Sequence, residues 1–338
     1  MQQIVRDRAV ARDMGSYDVH IHGGGLSGWA AAVSLAREGR SVLLSAPRTS
    51  LGHEIWGALS TWWPAELESP PLWQEIVSEL ERVNAARGTL LDAVAAQVAL
   101  ERAADEAGVE LLLQVNAHPS EGDVTLLTGR WGLMAARSRV VIDATERGRL
   151  SVECGATSHG RETDEPIIRR ALMVKTGLAH PERIEVGSDL PLAGGAVMAW
   201  TGLWPGDVIL EAELDLPADD PTAMEMRSRR TMAEIAMRLR GAREEFAQGS
   251  LVHIALDSIL PRRTVLDASG DSAAVARLQG DAGAVEVTRG MMLPAGTQRL
   301  IAASPALDLG EVTARSCYYA PNAVSLGMAA AALAAEML

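Results

Sequence analysis

Gly23, Gly25 and Gly28 stand at the spacing G-x-G-x-x-G, directly after the run Asp18-Val-His-Ile-His22. The chemistry open to such a turn is the binding of a pyrophosphate. The first glycine allows a tight turn, the second lets a phosphate approach bare backbone, and the third lets a helix pack close to a sheet. Free N–H groups and the positive end of the helix dipole then face the anion. This points to a bound dinucleotide and hence to redox chemistry.

The turn must be carried by a strand and a helix. Residues 42–44 read as the second strand of a βαβ unit, and residues 27–40, rich in alanine and free of proline, as its connecting helix. Residues 46–71 read as loops, 71–86 as a short helix, 89–107 as a longer one and 109–114 as a strand. Residues 115–118, 123–128 and 131–136 read as an antiparallel meander, after which 139–145 return as a buried strand. From residue 151 the pattern changes, with candidate strands at 170–176, 197–201, 208–214 and 251–257. A long helix over 221–247 opens with Pro221. A last strand at 299–303 and a closing helix at 322–338 return to the first pattern. The expected fold is α/β. A Rossmann-like domain of residues 1–150 and 259–338 carries an inserted α+β substrate domain with an antiparallel sheet, residues 151–258.

With 338 residues, 48% of them hydrophobic, the chain can bury a core large enough for two lobes. Its net charge of −13 argues against nucleic acid, since phosphate backbones need clustered cations. Cys154 and Cys317 match no metal-ligand spacing and read as thiols in a reducing cytoplasm. Residues 1–16 lack the apolar run of a secretory signal, and the apolar stretch at 323–338 is broken by Ser325, Gly327 and Glu336, so a buried helix is expected there and no membrane span. The expectation is a cytoplasmic protein acting on a small molecule, with a homodimer as an option. Asp18, His20 and His22 also resemble the D-x-H-x-H strand of metal-dependent amidohydrolases. His159, His180 and His253 do not follow strands in the rhythm of such a barrel, so no metal is expected.

Three separated segments resemble the FAD-dependent oxidoreductases of the glutathione-reductase-like superfamily. They are the glycine turn with its βαβ unit, Leu51-Gly52-His53-Glu54, and Val140-Val-Ile-Asp-Ala-Thr145 followed by Gly148. The closing segment from Leu300 through Arg315 to Gly327 is similar to the family's last strand and flavin-facing helix. The resemblance implies FAD as cofactor. It places Gly23, Gly25, Leu26, Ser27, Gly28, Ser45, Ala46, Arg48, Gly52, His53, Val115, Ala144, Thr145, Asp308, Asn322 and Gly327 along it. The sequence departs from the family at three points. Ala46 stands where an acid normally holds the adenosine ribose, Glu146 where Asp-Ala-Thr normally continues with glycine, and Ala303-Ser304 where a Gly-Arg pair is usual. Two ribose hydrogen bonds are worth roughly 1–3 kcal/mol together, so their loss weakens FAD without excluding it; Ser45 is the candidate to supply one of them.

The resemblance implies oxidation of a C–H bond next to oxygen or nitrogen, by hydride transfer to flavin. His53, with an ordinary pKa near ~6.5, is the candidate base, with Glu54 and Arg315 beside it as catalytic candidates. Asp308 and Glu311 lie in the same closing loop. His53 or Cys317 is also a candidate for covalent attachment of FAD. Trp56, Trp62 and Trp63 are either a clamp for a flat or sugar-like substrate or ordinary core. Two alternatives remain open: an NAD(P)H-driven flavin monooxygenase, and a homologue that binds a nucleotide without redox activity.

Overall fold

A computed structural model of the chain describes residues 11–217, 220–261, 264–280, 283–310 and 312–338. The first lobe runs β1 (Arg12–His22), α1 (Leu26–Arg37), β2 (Val42–Ala46), α2 (His53–Trp56), α3 (Pro71–Arg82), the two-residue strands β3 (Ala86–Arg87) and β4 (Leu90–Leu91), and α4 (Ala93–Glu106). It continues with β5 (Glu110–Leu113), β6 (Val115–Pro119), β7 (Val124–Gly129), β8 (Gly132–Asp143), α5 (Arg149–Glu153) and β9 (Ser158–Gly160). β1 lies between β2 and β8, parallel to both, with β5 beyond β2. Val19 pairs with Val42 and Val140, and Ile21 with Leu44 and Ile142. These buried aliphatic rows are what a parallel sheet covered on both faces requires.

Two sequence expectations change here. β1 begins at Arg12, well before the run of residues 18–22, because its first residues pair with β8 across a bulge between Asp13 and Ser16. The third meander strand and the strand returning at Arg139 are one twelve-residue strand, β8. Its first half pairs antiparallel with β7 and its last residues parallel with β18 (Leu300–Ala302). One strand thus serves both the meander and the parallel core and delivers Asp143 beside the glycine turn.

The second lobe is the antiparallel sheet β11-β12-β13-β10-β14, formed by β10 (Ile167–Val174), β11 (Glu182–Glu185), β12 (Ala196–Thr201), β13 (Val208–Leu214) and β14 (Ser250–Ile254). α6 (Pro221–Ala242) buries Met224, Met232, Ile235 and Leu239 in a core shared with this sheet. The chain then returns through β15 (Thr264–Leu266), which pairs with β9. A hairpin that the sequence did not signal follows, β16 (Ala274–Gly280) with β17 (Gly283–Thr288). α7 (Arg289–Met292), β18, α8 (Ala314–Cys317) and α9 (Ala320–Met337) complete the first lobe.

α9 lies directly on α1. A Cβ on Gly327 would come within 2.1 Å of the Ser27 carbonyl oxygen, so only glycine permits this approach. Gly327 therefore faces α1 and not a ligand, which corrects its expected place beside the flavin. Among the described residues no helix is long and apolar enough to cross a membrane.

On the other face of β1, His20 and His22 share the Ser45 hydroxyl, at 2.7 and 2.9 Å. His22 Nε2 also accepts the Ala117 N–H at 3.3 Å. Both histidines are buried in the sheet. Burial pushes His20 down to about 3 and His22 to about 4. A histidine held neutral contributes stability above its ordinary pKa of 6.5, and that stability is lost as pH falls toward the lowered value. His20→Leu removes one such group and its unpartnered buried Nδ1. Denaturant unfolding should show the variant gaining about 2 kcal/mol on wild type between pH 7.5 and pH 5. A pH-independent difference would show that the fold leaves the His20 pKa unshifted.

Candidate active site

α1 starts at Leu26, with Gly25 in extended backbone (φ −71, ψ 178) as its N-cap. The Gly23 N–H donates to the Ser45 carbonyl at 2.8 Å, which ties the turn to the end of β2. Gly52 adopts φ +66 and donates its N–H to the Gly24 carbonyl at 2.8 Å. The loop after β2 is thereby pinned against the glycine turn, and α2, opening after Gly52, swings His53 and Glu54 in front of it. The Leu26 N–H donates to both Glu54 oxygens, at 3.0 and 3.1 Å.

Glu146 is the hub of the site. One of its oxygens accepts the Tyr318 hydroxyl at 2.6 Å and His53 Nε2–H at 2.7 Å, and Arg48 Nη2 lies 3.3 Å from both oxygens. Arg48 also bonds Asp257 at 3.1 Å, and the Asp257 N–H donates to the Gly57 carbonyl. Burial alone would raise the Glu146 pKa, but His53, Arg48 and Tyr318 together hold it well below the usual carboxylate range. Burial alone would lower His53, but the Glu54 and Glu146 carboxylates outweigh it and raise its pKa. Burial, reinforced by Glu146, lifts Tyr318 well above the ordinary phenol value. The site therefore holds an ionised Glu146, a protonated phenol and a histidine biased toward its charged form. His53 is not the unperturbed base that the sequence suggested.

Three clefts meet at this hub. One of about 180 Å³ runs along Gly23, Gly24 and Gly25 past Ala46, Asn116 and Thr145. A second of about 20 Å³ lies between Glu54, Tyr318, Asn322 and Leu326. A third of about 320 Å³ opens between the lobes, lined by Tyr318, Glu146, Met224, Leu260 and Pro305. His53, Ala144 and Glu146 border both of the first two. The first cleft fits the adenosine half of a dinucleotide, since it lies at the end of β2 and along the turn. The anion seat fits less simply. A Cβ on Gly25 would lie 2.5 Å from Glu54 Oε1, so the chain's own carboxylate fills the space that the glycine leaves.

The structure gathers Gly23, Gly25, Ala46, Arg48, His53, Ala144 and Thr145 on the first cleft, and Ser27, Glu54 and Asn322 on the second. The Leu26 N–H is bound to Glu54, and Gly28 and Gly52 shape the turn. Other expected residues lie elsewhere. The Ser45 hydroxyl is held between two histidines and cannot serve a ribose. The Val115 side chain packs in the core, and its neighbour Asn116 faces the cleft. Asp308 is exposed and lines none of the three clefts. Arg315 is paired with Glu211 and Glu213 of the second lobe, not with the hub. Trp62 packs tilted against Trp200 and Trp63 edge-on against Trp73, and neither pair lines these clefts. Glu311 falls outside the described residues. Tyr318, Asp257 and Asn116 were not singled out from the sequence; the one signal was Glu146, an acid interrupting a motif that normally continues with glycine.

A family model described as FAD dependent oxidoreductase matches residues 18–255. No protein with a curated description matches the chain in sequence. Among solved structures, NikD, an unusual amino acid oxidase essential for nikkomycin biosynthesis, aligns in its open form with a TM-score of 0.58 at 16% identity, over 96% of this chain and 95% of that one. A geranylgeranyl bacteriochlorophyll reductase-like protein from Thermoplasma acidophilum aligns with a TM-score of 0.58 at 16% identity, over 95% and 78%. The flavin-dependent brominase Bmp2 gives 0.56 at 13% identity, over 95% and 80%. At such identities the likeness is one of fold.

Replacing Glu146 with glutamine removes one of the two carboxylates that raise His53 while leaving it buried. Stability from charged His53 is present below its ordinary 6.5 and is lost as pH rises through the raised value. NMR titration of the imidazole should place the wild-type midpoint above 6.5 and the Glu146→Gln midpoint lower. A wild-type midpoint at or below 6.5 would contradict the assigned charge.

Proposed function

The chain belongs to the FAD-dependent oxidoreductase family, and from that premise we propose that it oxidises a C–H bond next to nitrogen in a small amine. FAD is the cofactor of this oxidoreductase family. When bound, it supplies the acceptor for a hydride, which carries two electrons. The chain's part is to hold the nucleotide, seat the substrate and manage protons. Ala46, Asn116 and Thr145 would hold the adenosine half, and Gly23 to Leu26 the pyrophosphate. The cleft between the lobes, about 320 Å³ and lined by apolar residues such as Met224 and Leu260 together with Tyr318 and the charged Glu146, Arg147 and Glu225, is the proposed substrate chamber.

The observation that carries the choice of nitrogen is the hydrogen bonding of the hub. An alcohol must lose its O–H proton to a base as its C–H bond breaks. His53 is biased toward the charged form, Glu146 is a weak base held by three donors, and Tyr318 is a protonated donor. Both ring nitrogens of His53 face carboxylates, Nε2 at 2.7 Å from Glu146 and Nδ1 at 3.5 Å from Glu54, so neither is open to take a proton from an alcohol. An amine that enters unprotonated brings its own lone pair and needs no base. The similarity in fold to an amino acid oxidase, over nearly the full length of both chains, supports the same class of substrate.

The test is anaerobic reduction of the flavin-loaded protein by panels of small amines and small hydroxy acids, followed by bleaching of the visible flavin band. Amines should reduce it and hydroxy acids should not. Reduction should accelerate with rising pH along the titration of the substrate's own amine, with no limb near ~6.5 from an unperturbed histidine. Reduction by hydroxy acids with such a limb would restore His53 as a base and overturn the reading. Fast reduction by NADPH alone would point instead to a monooxygenase.

A further inference from the structure

The N-terminus of α1 is where a pyrophosphate nucleotide places its anion. Here the first N–H of that helix, from Leu26, is already taken by both oxygens of Glu54. The carboxylate is only 6% exposed and stands over Gly25, where an added Cβ would meet it at 2.5 Å. Two anions cannot share one small seat without strong repulsion, so carboxylate and pyrophosphate exclude each other there. A second observation points the same way. The cleft beyond Glu54 is reduced to about 20 Å³. The displaced carboxylate has a destination, because His53 Nδ1 lies 3.5 Å from Glu54 Oε2 and His53 is raised toward its charged form.

We propose that Glu54 is an affinity-determining residue for the cofactor: its carboxylate holds the anion seat of the free protein, and a pyrophosphate nucleotide binds by displacing it. This rests on the reading that FAD occupies the glycine turn. Glu54 then acts against binding, which differs from a catalytic role and from a direct contact that holds the flavin. A nucleotide must replace an internal charge-assisted hydrogen bond before it makes its own. The affinity is set by the difference between the two.

The experiment titrates flavin-free protein with ADP and with FAD, by calorimetry, for wild type, Glu54→Gln and Glu54→Ala. Glutamine keeps the shape and removes the charge; alanine empties the seat. Both variants should bind both ligands at least tenfold more tightly than wild type. Such a gain cannot arise from a misfolded protein. In Glu54→Ala/Gly25→Val the gain should vanish, because the new side chain enters the vacated seat. Equal affinities in wild type and both single variants would overturn the role of Glu54 and leave the turn as the cofactor site. Weaker binding in both would show that Glu54 holds the ligand and would overturn the proposal too. Tight binding retained in the Gly25→Val background would place the nucleotide away from the turn, and the site reading and the proposal would fall together. Absence of binding in every form would do the same.

Discussion

A half-buried carboxylate that stays ionised must be given partners, and Glu146 sets that demand for the whole site. As such a charge loses contact with water, hydrogen bonds and opposite charge must replace the solvent. Glu146 meets the demand with three donors from three parts of the chain: Arg48 after β2, His53 on α2 and Tyr318 after α8. Each of these is then constrained in turn. Arg48 needs Asp257 as well, and Asp257 belongs to the loop that follows the second sheet. Arg48, Glu146 and Asp257 thus tie the loop after β2 to the loop that follows the second sheet.

The same demand divides the interior. His53 and Glu146 border both the cleft along the glycine turn and the tight cleft beneath α9, while Glu146 and Tyr318 also face the chamber between the lobes. Binding on one side is therefore electrostatically coupled to the other through residues that share protons and charge. Away from the hub the lobes are joined by a second ionic set. Arg170 bonds Glu211 at 2.7 Å and reaches back to Ser60 at 2.6 Å in the loop after α2, and Arg315 pairs with the same acidic strand. Removing one member of such a buried set leaves an uncompensated charge, which costs more than the pair contributes when whole.

Much of the fold was legible because its signals are local. Spacing alone marks Gly23, Gly25 and Gly28, alanine content marks α1, and the β-branched runs around Val19 and Val140 mark parallel strands. The β16–β17 hairpin gave no comparable signal: its strands are half exposed, and Gly283 takes its turn at φ +132 without a sharp hydrophobic alternation on either side. The site was legible only in part. His53 and Glu54 stand out by type, but their protonation depends on Glu146, 93 residues away in sequence from His53. Tyr318 has no motif around it, and its importance arises from a tertiary contact. The sequence also suggested that the adenosine half of the site is the weaker one, from Ala46. The structure shows an open cleft there, and it is the space beneath α9 that the chain's own side chains fill.

The account's central claim is that the glycine turn and the hub around Glu146 form one FAD site. A crystal structure of the protein with FAD bound tests it most directly. The account predicts the adenosine beside Ala46 and Asn116, the pyrophosphate at the N–H of Leu26 and the flavin on the side of Tyr318. FAD located away from the turn, or crystals that stay colourless at saturating FAD with Glu54 still bonded to Leu26, would contradict it.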